Sequence, residues 1–137
     1  MIEKVLHDNA AVEISLHGER SGRELNDLFD RAHLSFGPLA LFKNNMRQAC
    51  SLKTRDQIAR QIPLIYAYDD VDLSGHEDFA LKLPAENSPL NFDEIVRFAE
   101  KACCDQSLGP RMREFALQKL DWRIKVKQMY DFALGLP

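Results

Sequence analysis

No apolar run in the 137 residues approaches the roughly eighteen that a membrane-spanning helix needs, so no span is expected. Cysteine is scarce and odd in number, with Cys50 alone and Cys103 beside Cys104. That count offers neither a disulfide framework nor the paired spacing of a zinc site. The adjacent pair is expected to sit on a helix as two buried thiols, because free cysteine packs as a small hydrophobe. His7, His17, His33 and His76 share no spacing, which fits surface or internally satisfied histidines and not ligands. Excess positive charge is lacking as well. A net charge of −3 and a pI near 5.8 argue against general electrostatic capture of nucleic acid. Residues Met1 to Asp8 have neither the basic start nor the apolar stretch of a signal peptide. A cytoplasmic location is the expectation. Internal repeats and low-complexity stretches are absent.

What is present is an ordinary globular composition, 45% hydrophobic and 28% charged, in a length suited to a single domain over residues 1–137. Strand-like and helix-like patterns take turns, which predicts an α/β domain with a parallel sheet. Ile2 to Asn9 reads as a short helix, and Val12 to Gly18 alternates like a strand. Ser21-Gly22-Arg23-Glu24 has capping-box spacing ahead of a helix from about Arg23 to Ala32. His33 to Phe36 reads as a short buried strand stopped by Gly37-Pro38. Thr54-Arg55-Asp56-Gln57 repeats the capping-box spacing, so a helix starts near Lys53 and ends at Pro63. Leu64 to Tyr68 is a β-rich run closed by Asp69-Asp70, as an inner parallel strand delivering a loop would be. Phe79 to Leu83 is the last strand candidate. Asn91 then caps a helix whose buried stripe is expected to be Ile95, Val96, Ala99 and Cys103. Beyond Pro110 the spacing of Trp122, Val126, Met129 and Ala133 favours two helices broken near Leu120-Asp121. The six basic residues between Arg111 and Lys127 read as a solvated helix face.

The run from Ala49 through Cys50-Ser51-Leu52-Lys53-Thr54-Arg55-Asp56-Gln57 to Ile62-Pro63-Leu64-Ile65 resembles the donor-site stretch of group 1 glycosyltransferases. There a loop enters a helix and an Ile-Pro step enters the next strand. Phe79 to Leu83, the helix at Phe92 to Cys104, and Arg111 to Ala116 followed by Leu120-Asp121-Trp122 are similar to that family's C-terminal tail. The resemblance covers nearly the whole chain. It implies the C-terminal, donor-binding half of a retaining enzyme of GT-B fold, a Rossmann-like parallel sheet with flanking helices that lacks its first strand. It also implies a nucleotide diphosphate-sugar as donor substrate, a glycan or lipid-linked acceptor, and an N-terminal acceptor-binding domain in the same parent chain. No cofactor or metal is expected, and the parent retains room for a peripheral membrane contact. The family's pair of glutamates separated by seven residues falls on Gln48 and Asp56. Asp56 keeps a carboxylate that can accept from a ribose diol, whereas Gln48 has no charge. Gly37, Leu39, Lys43, Gln48, Cys50, Ser51, Leu52, Lys53 and Asp56 are the implied donor-binding residues.

Elementary chemistry gives the same loop a second basis, because a helix start offers free amides and a positive dipole end to an anion. Cys50, Ser51 and Leu52 would supply backbone amides, and Lys53 and Lys43 would supply charge to a diphosphate. Thr54 and Asp56 would equally make a stable helix N-terminus with no ligand. Two further functions fit the composition: a freestanding Rossmann-like binding or regulatory module without transferase activity, and a small acidic protein-binding partner.

Overall fold

The computed structural model describes residues 13–75 and 77–135. The helix expected over Ile2 to Asn9 lies outside them. Two compact units are distinguished, Met1–Arg31 and Ala32–Pro137.

In the first unit, residues 13–18 form no strand and are exposed throughout. Alternation had suggested one there. An alternating segment is stabilised only when a partner strand takes its hydrogen bonds and a surface covers its apolar face, and Leu16 remains 75% exposed. Helix α1 spans Gly22–Phe29, shorter than expected. Ser21 occupies the N-cap in an extended conformation but makes no side-chain capping bond. Its expected partner Glu24 instead lies 3.7 Å from Arg20.

The second unit is an α/β domain with a small parallel sheet and flanking helices, an arrangement compatible with a Rossmann-like fold. Strands β1 (Ser35–Phe36), β3 (Leu64–Tyr66) and β5 (Ala80–Lys82) form a parallel sheet in the order β1-β3-β5. Ser35 pairs with Leu64, and Leu64 with Ala80. A second parallel pair joins β2 (Gln48–Ala49) to β4 (Asp69–Asp70). Asp69 and Asp70, expected in a loop, are therefore strand residues. Side-chain alternation along β3 and its extension feeds two cores. Leu64, Tyr66 and Tyr68 join Ile58, Phe79, Leu108, Met112 and Ala116. Ile65 and Ala67 join Leu83 and Ile95, with Leu34, Leu39 and Phe98 packed against them.

Helix α2 spans Leu52–Ala59. It closes before Pro63, in a Schellman turn where Ile62 N donates to Gln57 O at 3.0 Å and Gln61 N to Ile58 O at 3.0 Å. Gln61 holds the left-handed position that glycine usually takes, with φ 64°. Its side chain lies over Gly109, where a Cβ would come within 2.7 Å of Gln61 Oε1.

Helix α3 spans Phe92–Cys104, and Asn91 Oδ1 accepts from Glu94 N at 3.3 Å as the sequence suggests. Its inward face is Ile95, Phe98, Ala99 and Ala102. Val96, Cys103 and Cys104 are exposed, so the expected stripe and the burial of the two thiols are both corrected. Period alone leaves the rotation of a helix open, and Ile95 is fixed inward by Ile65, Ala67 and Leu83.

Helix α4 (Leu108–Phe115) runs into a π-helical turn, Ala116–Leu120, and then Asp121 breaks the chain in an extended conformation before α5, Trp122–Ala133. Asp121 Oδ1 accepts from Arg123 N at 2.8 Å, so the break and its cap fall where the sequence puts them. Among the described residues no helix is long and apolar enough to cross a membrane.

Candidate functional site

The exit of β1 lies against the first turn of α2, and Gly37 permits it. Gly37 N donates to Ile65 O at 2.8 Å. A Cβ on Gly37 would come 3.3 Å from Thr54 Oγ1 and 3.4 Å from Tyr66 Cβ. Thr54 is fully buried and shares a 2.7 Å hydrogen bond with the Tyr68 hydroxyl. Burial raises the Tyr68 hydroxyl above its ordinary pKa, although the bond from Thr54 opposes the shift. Thr54 therefore joins helix to strand and does not cap α2. The N-cap is Ser51, which makes no side-chain capping bond.

Asp56 lies beyond the first turn, which contains no acidic residue, so it does not serve the helix start as its position suggested. Both of its oxygens accept from Arg60 Nε, at 2.9 and 3.0 Å. The carboxylate remains half exposed.

Cys50, Leu52 and Asp56 come together with Arg55, Ala59, Val71, Asp72, Arg113, Leu117, Trp122 and Lys125 around a groove of about 880 Å³. The walls are largely apolar; Leu52 and Val71 are among the most exposed hydrophobic residues of the unit. Ser51 is half-buried at the helix start and Lys53 is exposed in the first turn. The other implied donor residues lie elsewhere. Leu39 lines a separate recess of about 270 Å³ with Ala67, Leu83 and Pro89. Lys43 is exposed on a 3-10 turn, Leu41–Asn44. Gln48 is exposed on β2 opposite Asp69.

One cluster at the groove was not legible as a unit in the sequence. Arg55 binds Asp70 through both guanidinium branches and reaches Asp72 Oδ2 at 2.7 Å. Lys125, from α5, binds the other Asp72 oxygen. Asp70 Oδ1 also accepts from Asp72 N at 3.0 Å. The Asp70 side chain has no exposed surface, and that of Asp72 is 10% exposed. Two buried carboxylates are thus matched by two cations, the condition under which buried charge is tolerated. Burial raises the Asp72 carboxyl, but bonds from Lys125 and Arg55 outweigh it and hold the group below the ordinary carboxylate range. Burial would lower the Arg55 guanidinium, and the two aspartates hold it above its ordinary value. Asp69-Asp70 at the end of a strand was the one sequence signal. Its partners lie on α2 and α5, at separations that no local pattern reveals.

The site therefore offers a helix start without a side-chain cap and an apolar wall with Trp122 at its edge. Its own ion pairs already balance the buried charge. Among the described residues no group of three or more His, Cys, Asp or Glu side chains could hold a metal ion. Comparison with known proteins gives no match: no family model, curated protein or solved structure is significantly similar to this chain.

Proposed function

We propose that the chain is the donor-nucleotide-binding half of a retaining group 1 glycosyltransferase of GT-B fold. In this reading it holds a nucleotide diphosphate-sugar while an N-terminal domain of the same parent supplies the acceptor site. The observation that supports it is the packing of the β1 exit at Gly37 against the first turn of α2. That contact sets the uncapped amides of Ser51 to Lys53 at the carboxyl end of parallel strands, where open α/β sheets bind ligands. The diphosphate takes those amides, with charge from Lys53. Arg55 is committed to Asp70 and Asp72 and shapes the site without contacting phosphate. Asp56 accepts from the ribose diol once it exchanges its surface pairing with Arg60. Stabilising the departing diphosphate by fixed amides and cations is how this half contributes to transfer with retention. Gln48 has no charge to contribute, and turnover requires the acceptor domain.

Saturable NMR shifts with uridine, guanosine or adenosine diphosphate, clustered on residues 37–39 and 49–56 and weakened in Asp56→Ala, are the expected result. A folded sample whose shifts stay absent or scattered for all three would refute a donor site here.

One observation favours the second reading, a Rossmann-like binding or regulatory module without transferase activity. Each charged side chain lining the groove already has a partner: Arg55, Asp72 and Lys125 in the cluster, Asp56 with Arg60, Asp121 with Arg123, and Arg113 with Ala59 O at 3.3 Å. Under that reading the same titration moves none of the helix-start amides.

A further inference from the structure

Helix α5 is turned the wrong way round for a helix that packs on a core. None of its residues is buried. Ile124, Lys125 and Asp131 are its half-buried positions. Trp122, Val126, Met129 and Tyr130 recur at spacings of four, three and one along a single face, and each is more than half exposed. Phe132, at that stripe's border, is 88% exposed. Scattered exposed apolar residues need no explanation, but a continuous stripe including the protein's only tryptophan does.

The charges beside the stripe identify what would cover it. Arg123 is 85% exposed while its partner Asp121 is 19% exposed, and Lys127 is 72% exposed while its partner Asp131 is 25% exposed. In both pairs the cation stands outward and the carboxylate is drawn back. Lys125 is turned inward onto Asp72, and Asp131 is the helix's one acid. An apolar stripe bordered by outward cations is the pattern of a helix lying in the plane of a membrane interface, its rings at headgroup depth and its cations against anionic lipid. At twelve residues, Trp122–Ala133 is too short to span a bilayer.

We propose that α5 docks this protein onto an anionic lipid surface through Trp122, Val126, Met129 and Tyr130, with Arg123 and Lys127 meeting the headgroups. The chain's net charge of −3 leaves the rest of the surface acidic on balance, which favours approach to anionic lipid through this face. Docking through α5 needs no nucleotide, so its success or failure is separate from that of the donor site.

Trp122 is its own reporter. The full chain is mixed with vesicles of phosphatidylcholine, and with vesicles in which about a third of the lipid is phosphatidylglycerol. The expected result is a blue shift of Trp122 emission and co-sedimentation with the anionic vesicles, reversed by about 0.5 M salt. Val126→Glu with Met129→Glu should abolish both signals while circular dichroism stays unchanged, since neither residue is buried. Arg123→Glu with Lys127→Glu should lower partitioning at least about tenfold. A folded protein whose emission does not move with anionic vesicles overturns the proposal. So does a blue shift that rises with protein concentration in the absence of lipid, which would mean that a second copy covers the stripe.

Discussion

Strand β3 and helix α5 are both rich in apolar residues, and the structure treats them in opposite ways. Leu64, Ile65, Tyr66, Ala67 and Tyr68 are at most 2% exposed, with one side of the run in each core. Along α5, Trp122, Val126, Met129 and Tyr130 all face outward. The difference lies in what each element meets. β3 has a strand on both edges and packed side chains on both faces, so every apolar group it carries finds cover. α5 follows a π-helical turn and an extended Asp121, and Lys125 ties it to Asp72 in the loop after β4. Apolar content therefore fixes how much surface an element would rather bury, and the partners decide whether it does.

Substitutions can break that contrast. Ile65→Ala should cost about 3 to 4 kcal/mol in urea unfolding, whereas Met129→Ala should stay within about 0.5 kcal/mol. Equal costs would mean that α5 is covered in solution. Asp70→Ala should cost about 2 to 3 kcal/mol in the same assay, because Arg55 keeps Asp72 as a partner but loses its bidentate one. A neutral result would make the cluster an ordinary surface network.

At the junction between α2 and β3, Gln61→Gly should raise the unfolding free energy by about 0.5 to 1 kcal/mol by relieving a left-handed side-chain residue. A loss instead would show that the Gln61 side chain over Gly109 matters more than its backbone. The smallest effect belongs to α5. The Arg123 side chain, with the Arg123 amide, holds the Asp121 carboxyl down to about 2 from its ordinary 3.8. A carboxyl depressed in the folded state stabilises above the ordinary value and loses that contribution as pH falls through the lower one. The first turn of α5 should therefore loosen between pH 3.8 and about 2 while β3 is untouched, read as a titrating Arg123 amide in NMR. An amide that does not titrate would break the assignment of Asp121 as cap.

Much of this organisation was readable from residue order. Gly37-Pro38, the run Leu64 to Tyr68, Asn91 ahead of Phe92 and Asp121 ahead of Trp122 each carry a local signal, and each marks an element boundary in the fold. Local signals failed where a distant surface decided. Residues 13–18 alternate but form no strand. The rotation of α3 was set by Ile65 and Leu83, which leaves Cys103 outside. Thr54 has cap spacing, yet its hydroxyl is taken by Tyr68. At the candidate site the sequence brought out Cys50, Leu52 and Asp56, which share the groove, but not the joining of Arg55, Asp72 and Lys125, whose contacts are long-range.

The register of the sheet also says something about how the chain comes to be folded. Ser35 must find Leu64, and Leu64 must find Ala80, across segments that contain α2 and the loop after β4. Helices can form on the nascent chain from local contacts, but a parallel pairing waits for its loop to close. On a ribosome β1 and β3 emerge before β5, so β3 has one edge satisfied and the other open until Ala80 to Lys82 have been made. That interval, with a buried-type strand presenting an unpaired edge, is when neighbouring copies are most able to associate wrongly.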